Sequence, residues 1–317
     1  MRELRIADCG MTKSLSFSAC LRFFCSVLSG VSLFASFSPL EWAPLAWIAL
    51  VPLLILCAFS TPGESFKWGF LCGLVFWLLS ISWVSYVTCV GWIALCLYCA
   101  LYVACFSMTA SWWIHRRGLK GSFGNPLVLL VIPALWVGFE FSRSTFGTGF
   151  PWNPLGVSQF NNLALIQCAQ GGGVYLVSYM IALVNVAVAL TVVQYCRVKG
   201  PRRYRPHPEL IISLAVVAMS FWYGGRAMRR FQSTSGTIRI AAIQPNIPQM
   251  EKWSEDWVTE IYRRVRSITE KAVAHSHPDL VVWPETAVPD FVGYAGLTRL
   301  LVDDLLTNGV PILVGSM

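Results

Sequence analysis

Leu280-Val281-Val282-Trp283-Pro284-Glu285-Thr286-Ala287-Val288-Pro289-Asp290 is the stretch on which the fold of this chain turns. Leu280 to Trp283 is a short apolar run of the kind that forms a buried strand. Pro284 ends it, because proline cannot donate to a sheet ladder. Glu285 then sits just past the strand's end, where apolar and aromatic neighbours suit a carboxylate to general-base work. The same carboxylate is equally compatible with capping the turn or pairing with an arginine.

The pattern around this stretch is α/β. Ile238–Gln244 reads as a strand. Residues 254–274 read as a helix, with Ser254 as N-cap and Trp257, Ile261, Val265 and Ile268 on one face. Gly296–Leu306 reads as a second helix and Val310–Val314 as a third strand. His275-Ser276-His277, just before Pro278, reads as a solvated helix end.

Upstream the composition changes. Hydrophobic residues make up 56% of the 317 residues, and the mean hydropathy of +0.59 exceeds that of an ordinary soluble protein. The apolar residues fall in long blocks before about residue 225: Phe23–Phe37, Leu45–Phe59, Trp68–Val87, Gly91–Ile114, Pro126–Phe141, Gly172–Tyr195 and Leu210–Tyr223. Several reach the roughly 20 residues needed to cross a bilayer, and aromatic flanks extend the short ones into the interface. Seven membrane helices are expected, as a helical bundle over 23–230 behind a polar N-terminus at 1–22. A cleaved signal peptide is disfavoured, because no small-x-small site follows the first block.

Charge divides at the same place. Residues 1–235 carry 17 Lys+Arg against 6 Asp+Glu, net +11, whereas 236–317 carry 7 against 10, net −3. The basic excess therefore belongs to the membrane part and marks cytoplasmic loops, not nucleic-acid binding. His115–Lys120 and Arg197–Arg205 follow the fourth and sixth blocks, so the positive-inside rule puts them and the N-terminus in the cytoplasm. Seven crossings then export everything after about residue 236. Arg226, Arg229 and Arg230 run against the rule at the exit and are placed to meet lipid phosphates.

All eleven cysteines lie at or before Cys196, mostly in apolar blocks, with neither metal-ligand spacing nor a disulfide framework. They read as small buried hydrophobes. The four histidines have no metal-like context, and no metal or cofactor is expected. Gly171-Gly172-Gly173 lacks the Lys-Ser/Thr of a phosphate loop and reads as a site of close helix packing. The loop from Glu140 to Ala164, with Gly147-Thr148-Gly149-Phe150-Pro151-Trp152-Asn153-Pro154 at its centre, is nearly uncharged. It reads either as an aromatic-belt connection or as a loop on the outer leaflet that admits a lipid acyl chain.

Strand, then Trp-Pro-Glu-Thr-Ala, then Pro-Asp, resembles the first catalytic motif of the carbon–nitrogen hydrolase (nitrilase) superfamily. Ile238–Gln249 resembles that fold's first strand and following loop. Lys252-Trp253, Pro133-Ala134-Leu135-Trp136, Glu140, Arg143, Gly149-Phe150-Pro151-Trp152 and Ser158-Gln159 resemble its membrane-bound branch, the apolipoprotein N-acyltransferases. The resemblance implies a membrane bundle followed by the start of an α-β-β-α sandwich over 236–317. It implies transfer of an acyl chain from a phospholipid, typically phosphatidylethanolamine, to the α-amino group of the diacylglyceryl-cysteine of a lipoprotein in the bacterial inner membrane. Glu285 would be the general base, and Trp253 with Gly149, Phe150, Pro151 and Trp152 would line the lipid's route. The family also uses a lysine and a cysteine nucleophile. No lysine follows Lys271 and no cysteine follows Cys196. Both partners are therefore expected beyond Met317, and a chain of these residues alone is expected to be inactive. Two other readings remain open: a membrane-anchored nitrilase-type amidase, and a transport or structural membrane protein with a degenerate exported domain. The near absence of acids within the blocks counts against transport.

Overall fold

The computed structural model describes residues 18–117, 126–197, 207–231, 236–248, 254–285, 296–307 and 309–315. The chain divides into two compact units, residues 1–232 and 233–317. Residues 118–120 and 198–205 of the basic loops, Trp253 and Thr286–Asp290 lie outside the described residues.

The first unit is helical. Its helices are α1 (Ala19–Ala35), α2 (Val51–Phe59), α3 (Pro62–Ser80), α4 (Cys89–Arg117), α5 (Pro126–Thr145), α6 (Leu163–Ile166), α7 (Ala169–Arg197) and α8 (Pro208–Phe231). Four of them, α4, α5, α7 and α8, are long and apolar enough to cross a membrane. Lipid gives no hydrophobic drive between helices, so close contact depends on small residues. The α3–α4 interface shows this. A Cβ on Gly73 would lie 2.9 Å from the Cα of Ala100, and one on Gly69 would collide with Ser107.

Several expected boundaries move. The third block was expected at Trp68–Val87, but α3 starts at Pro62 and ends at Ser80. Its start is set by polar residues that hydropathy does not register. The Thr61 hydroxyl accepts from the Glu64 N–H, the Glu64 carboxylate accepts from the Thr61 N–H, and Pro62 occupies the first turn. Glu64 also pairs with Arg22 of α1. A separate 3-10 turn at Ser82–Tyr86 takes up the end of that block.

The second block, Leu45–Phe59, is not one helix. A 3-10 turn at Ala43–Trp47 leads into the nine-residue α2, with a proline near the start of each. At 1.5 Å per residue, α2 is only about 14 Å long. The break leaves backbone groups without helical partners, and the bundle supplies side chains for them. Asn185 of α7, fully buried, accepts from Leu50 N–H at 2.8 Å and donates to Ala46 C=O at 2.8 Å. Ser29 of α1 accepts from Leu53 N–H at 3.0 Å, and Gln159 donates to Ala43 C=O at 2.9 Å.

The glycine run at 171–173 does not mark close helix packing. Gly172 and Gly173 break α7 with non-helical backbone angles, and a Cβ at Gly173 would meet nothing. Gly173 has φ +63°, which glycine adopts without the steric cost other residues meet. The run is a kink.

The second unit is a three-stranded parallel sheet in the order β1 (Ile240–Ala242), β2 (Leu280–Val282), β3 (Ile312–Leu313). Ala241 pairs with Val281, and Val281 with Ile312. Helix α9 (Val258–Ser276) connects β1 to β2, and α10 (Gly296–Leu306) precedes β3. Parallel strands need such crossovers. Ser254 does not cap α9. It precedes a 3-10 turn at Glu255–Trp257, and Trp257 holds the cap position without a side-chain bond. Ile261 and Val265 are buried with Ile243, Val281, Trp283, Leu301 and Leu305, while Trp257 and Ile268 pack at the edge of this core.

Asn185→Leu keeps approximate volume and orphans Leu50 N–H and Ala46 C=O. The expected loss is about 2 kcal/mol, read as a lowered thermal midpoint in detergent. A midpoint within one degree of the parent would mean that Asn185 does not stitch this break.

Candidate functional site

Two places carry the residues that the sequence singles out, one in each unit.

In the first unit, α5 presents Trp136, Glu140 and Arg143 at spacings of four and three, which puts them on one helix face. Glu140 and Arg143 are buried, only 6% and 4% exposed. Buried charges need partners, and both find them in the loop that follows α5. Glu140 Oε1 accepts from Leu155 N–H at 2.7 Å and from the Trp136 indole N–H at 2.8 Å. Arg143 donates to Phe150 C=O at 2.5 Å, and its own carbonyl accepts from Phe150 N–H at 2.8 Å. The two charged side chains thus hold opposite ends of the Phe150–Leu155 segment.

Neighbouring contacts complete the clasp. Asn153, at φ +45°, donates its amide to the Ser80 hydroxyl at 2.6 Å. Ser178 of α7 accepts from Gly156 N–H at 2.8 Å. Gly149 has φ +69°, and a Cβ there would collide with Ser144 C=O, so glycine is required at this turn. The aromatic rings form a chain. The Arg143 guanidinium lies 4.7 Å from the Trp77 ring centroid, Trp77 meets Phe150 at 6.0 Å, Phe150 stacks on Trp152 at 6.2 Å, and Trp152 meets Trp83 at 5.3 Å. Trp152 is exposed while Phe150 is half-buried, so the chain of rings runs from the bundle interior to its surface. Beneath it is a cavity of about 30 Å³ lined by Phe76, Trp77, Tyr102, Phe106, Glu140 and Arg143, among others. That is room for a water and not for an acyl chain.

In the second unit, Trp283 closes β2. Its N–H donates to Leu313 C=O at 2.9 Å, and its indole N–H donates to the Thr269 hydroxyl at 3.1 Å. Pro284 then takes the chain out of the ladder, and Glu285 is exposed just beyond. A Cβ at Gly315 would collide with Pro284 C=O, so the end of β3 runs close against this turn. The motif is thereby held from two sides. Trp253 lies outside the described residues, so no geometry joins it to Glu285.

Gly149, Phe150, Pro151 and Trp152 stand together in the loop, as their adjacency requires. Resemblance alone singles out Glu140 and Arg143 in the sequence, and it says nothing of their grip on that loop. The signal was available: Glu140 is the only acid between Glu64 and Glu209. An isolated acid in an apolar block calls for a named partner. Nothing local pointed to Asn185 or Ser178.

A bundle with four helices long and apolar enough to cross a membrane and a charge-clasped aromatic loop, followed by a parallel α/β unit, defines the class of a membrane-type helical protein with a separate α/β module. Comparison with known proteins gives the family. Residues 29–187 match the family described as apolipoprotein N-acyltransferase N-terminal domain. The chain is 34% identical over 309 residues to the apolipoprotein N-acyltransferase of Geobacter metallireducens, covering 93% of this chain and 57% of that one. It is 29% identical over 277 residues to that of Chlorobaculum tepidum, covering 85% and 50%, and 32% identical over 295 residues to that of Azotobacter vinelandii, covering 87% and 54%. The chain belongs to the apolipoprotein N-acyltransferase family. It spans about half the length of these relatives.

Glu140→Leu removes the acceptor shared by Leu155 and Trp136 and leaves Arg143 without its nearby carboxylate. The expected cost is about 1–3 kcal/mol, with faster proteolysis in 146–155. Glu140→Gln keeps an acceptor oxygen and should fall between the two. If Leu and Gln variants unfold and cleave alike, the hydrogen bond to Leu155 is not what fixes the loop.

Proposed function

We propose that the chain is the membrane and leading α/β part of an enzyme that transfers an acyl chain from a phospholipid, phosphatidylethanolamine being the typical donor, to the α-amino group of a lipoprotein's diacylglyceryl-cysteine. The observation that carries this reading is the position of Glu285. In open α/β sheets, ligands bind outside the carboxyl ends of the strands, and Glu285 is exposed just past that end of β2, the strand flanked by β1 and β3. Family membership supports the acyl-transfer class.

The chemistry follows from the groups. A carboxylate at Glu285 takes the proton of a cysteine thiol, and the thiolate attacks the ester carbonyl of the phospholipid. Glu285 returns that proton to the departing glycerol oxygen, so the lysophospholipid leaves as an alcohol, a thioester forms and the carboxylate is regenerated. Glu285 then takes a proton from the lipoprotein's α-amino group as its nitrogen attacks the thioester, which frees the thiol. A lysine would stabilise the oxyanion of both steps. Residues 236–317 contain no cysteine, so the thiol comes from elsewhere than this segment. The Gly149–Trp152 loop and Trp253 would guide the lipid, with the ring series from Trp77 to Trp83 as the apolar surface along which a tail lies.

For orientation we take seven crossings, with α1 and the segment from Ala43 to Phe59 completing the set begun by α3, α4, α5, α7 and α8. The basic segments at 115–120 and 197–205 then face the cytoplasm, and residues after 236 lie on the outer side of the bacterial inner membrane. In a cysteine-accessibility map, position 203 should react only after the membrane is permeabilised, and positions after 236 should react in intact cells. Labelling of position 203 from outside would reverse the topology.

Acyl transfer is tested by incubating purified protein with labelled phospholipid and measuring hydroxylamine-sensitive label on the chain. The 317 residues alone should take up none. In a chain that also carries the thiol, Glu285→Gln should slow labelling by roughly 10²–10⁴. Parent-like labelling by that variant would return Glu285 to a structural role in the turn.

A further inference from the structure

The last turns of α8 carry Arg226, Arg229 and Arg230, and no Asp or Glu occurs between Glu209 and Glu251. Cations at a helix C-terminus complement its dipole. That accounts for a basic end but not for the cleft found there. A Cβ at Gly224 would collide with Ala164 C=O, so glycine lets α8 lie directly on α6. This brings the end of α8 beside the start of α7. Gln170, Tyr223, Arg226, Ala227 and Arg230 line an open cleft of about 340 Å³ between them. The volume lies in the range of roughly 300–1,000 Å³ in which small ligands are held.

The lining is chemically one-sided. Arg226 and Arg230 stand one turn apart and so project to the same side. Tyr223 donates its hydroxyl to Gln170 Oε1 at 2.7 Å, which orients the amide with its NH₂ as the donor end. Among the described residues, those lining the cleft include no carboxylate. Guanidinium groups match the fork of phosphate oxygens better than any other side chain does. The surroundings are apolar and outward-facing. Trp222, 65% exposed, lies under the Arg226 guanidinium at 5.9 Å, and Met219, Leu214 and Ile211 are exposed further down the same helix. A tryptophan beside arginines at the end of an apolar helix is the arrangement of a headgroup-level interface.

We infer that this cleft binds a phosphate group, and specifically the phosphodiester of a membrane phospholipid whose tails lie along the exposed apolar face of α8. Arg226 and Arg230 hold the phosphate oxygens, and the Gln170 amide donates to the headgroup. The site needs neither Glu285 nor a thiol, so it stands independently of the acyl-transfer reading.

The test uses the 317-residue chain in detergent micelles, with bound lipid counted by native mass spectrometry. Titrations use phosphatidylglycerol, phosphatidylethanolamine, diacylglycerol with the same tails, and inorganic phosphate. Both phospholipids should bind the parent, and Arg226→Gln/Arg230→Gln should weaken them by about tenfold or more. Diacylglycerol should bind weakly and equally to both proteins, and inorganic phosphate should compete only at far higher concentration than the lipid. Equal phospholipid binding by parent and double variant would overturn the site, as would diacylglycerol binding the parent as tightly as phospholipid. Inorganic phosphate binding the parent as tightly as lipid would make this a site for a soluble anion instead. The last two comparisons need only the parent, so they decide the matter even if the double variant does not fold.

Discussion

Where water is absent, a backbone N–H or C=O without a helical partner must find one inside the protein. The first unit is organised around that constraint. Among its described residues, the break between Ala43 and Val51 and the loop from Phe146 to Gly156 are both irregular backbone stitched by polar side chains from helices. Asn185 spans the first break, donating on one side and accepting on the other. Gln159 ties the two together, since it belongs to the segment after the loop and donates to Ala43 C=O across 116 residues of sequence. Helix packing in such a bundle has little hydrophobic drive of its own. These few bonds therefore set which irregular conformations are permitted.

The second unit meets the same requirement by a different route. Its strands satisfy one another through parallel ladders, and α9 covers the sheet with Ile261 and Val265. The one residue that leaves the ladder at the carboxyl end of β2 is Pro284, and the residue it displaces outward is Glu285. The indole of Trp283, bonded to Thr269 on α9, fixes the strand end from which that displacement starts. Strand, proline and glutamate act as a unit: the first is buried, the second ends pairing, and the third is thereby presented.

That unit was legible in the sequence because each of its signals is local. An apolar run with a terminating proline, and a helix with a period of 3.6, need no knowledge of distant residues. The bundle was legible only coarsely. Hydropathy located its apolar blocks but mistook where α3 begins, since that helix starts with the polar Thr61–Glu64 box. It also merged a 3-10 turn and a nine-residue helix into one block, because Ala43–Phe59 is apolar throughout. Ser254 looked like a cap on composition and is displaced from that role by a 3-10 turn. Asn185 could not be assigned at all. Its partners lie 135 and 139 residues away, and nothing in its own neighbourhood distinguishes it from an asparagine facing solvent.

The buried charges of α5 show why composition alone does not fix the role of a charge inside an apolar helix. Ionisable residues inside membrane helices commonly mark a transport path, and on that rule Glu140 and Arg143 would point to translocation. Their geometry assigns them differently. A transport group must exchange partners as its cargo passes, so its bonds have to be made to the cargo, to water or to other titrating groups. Glu140 is instead committed to a backbone N–H and an indole, and Arg143 to a backbone carbonyl and the face of Trp77. The two backbone partners, Leu155 N–H and Phe150 C=O, belong to the loop itself and cannot leave without unmaking it. The cavity beside them is only about 30 Å³, close to what a water molecule needs. The charge here is spent on shape: it holds both ends of the Phe150–Leu155 segment, in which Phe150 stacks on Trp152 at the edge of the bundle.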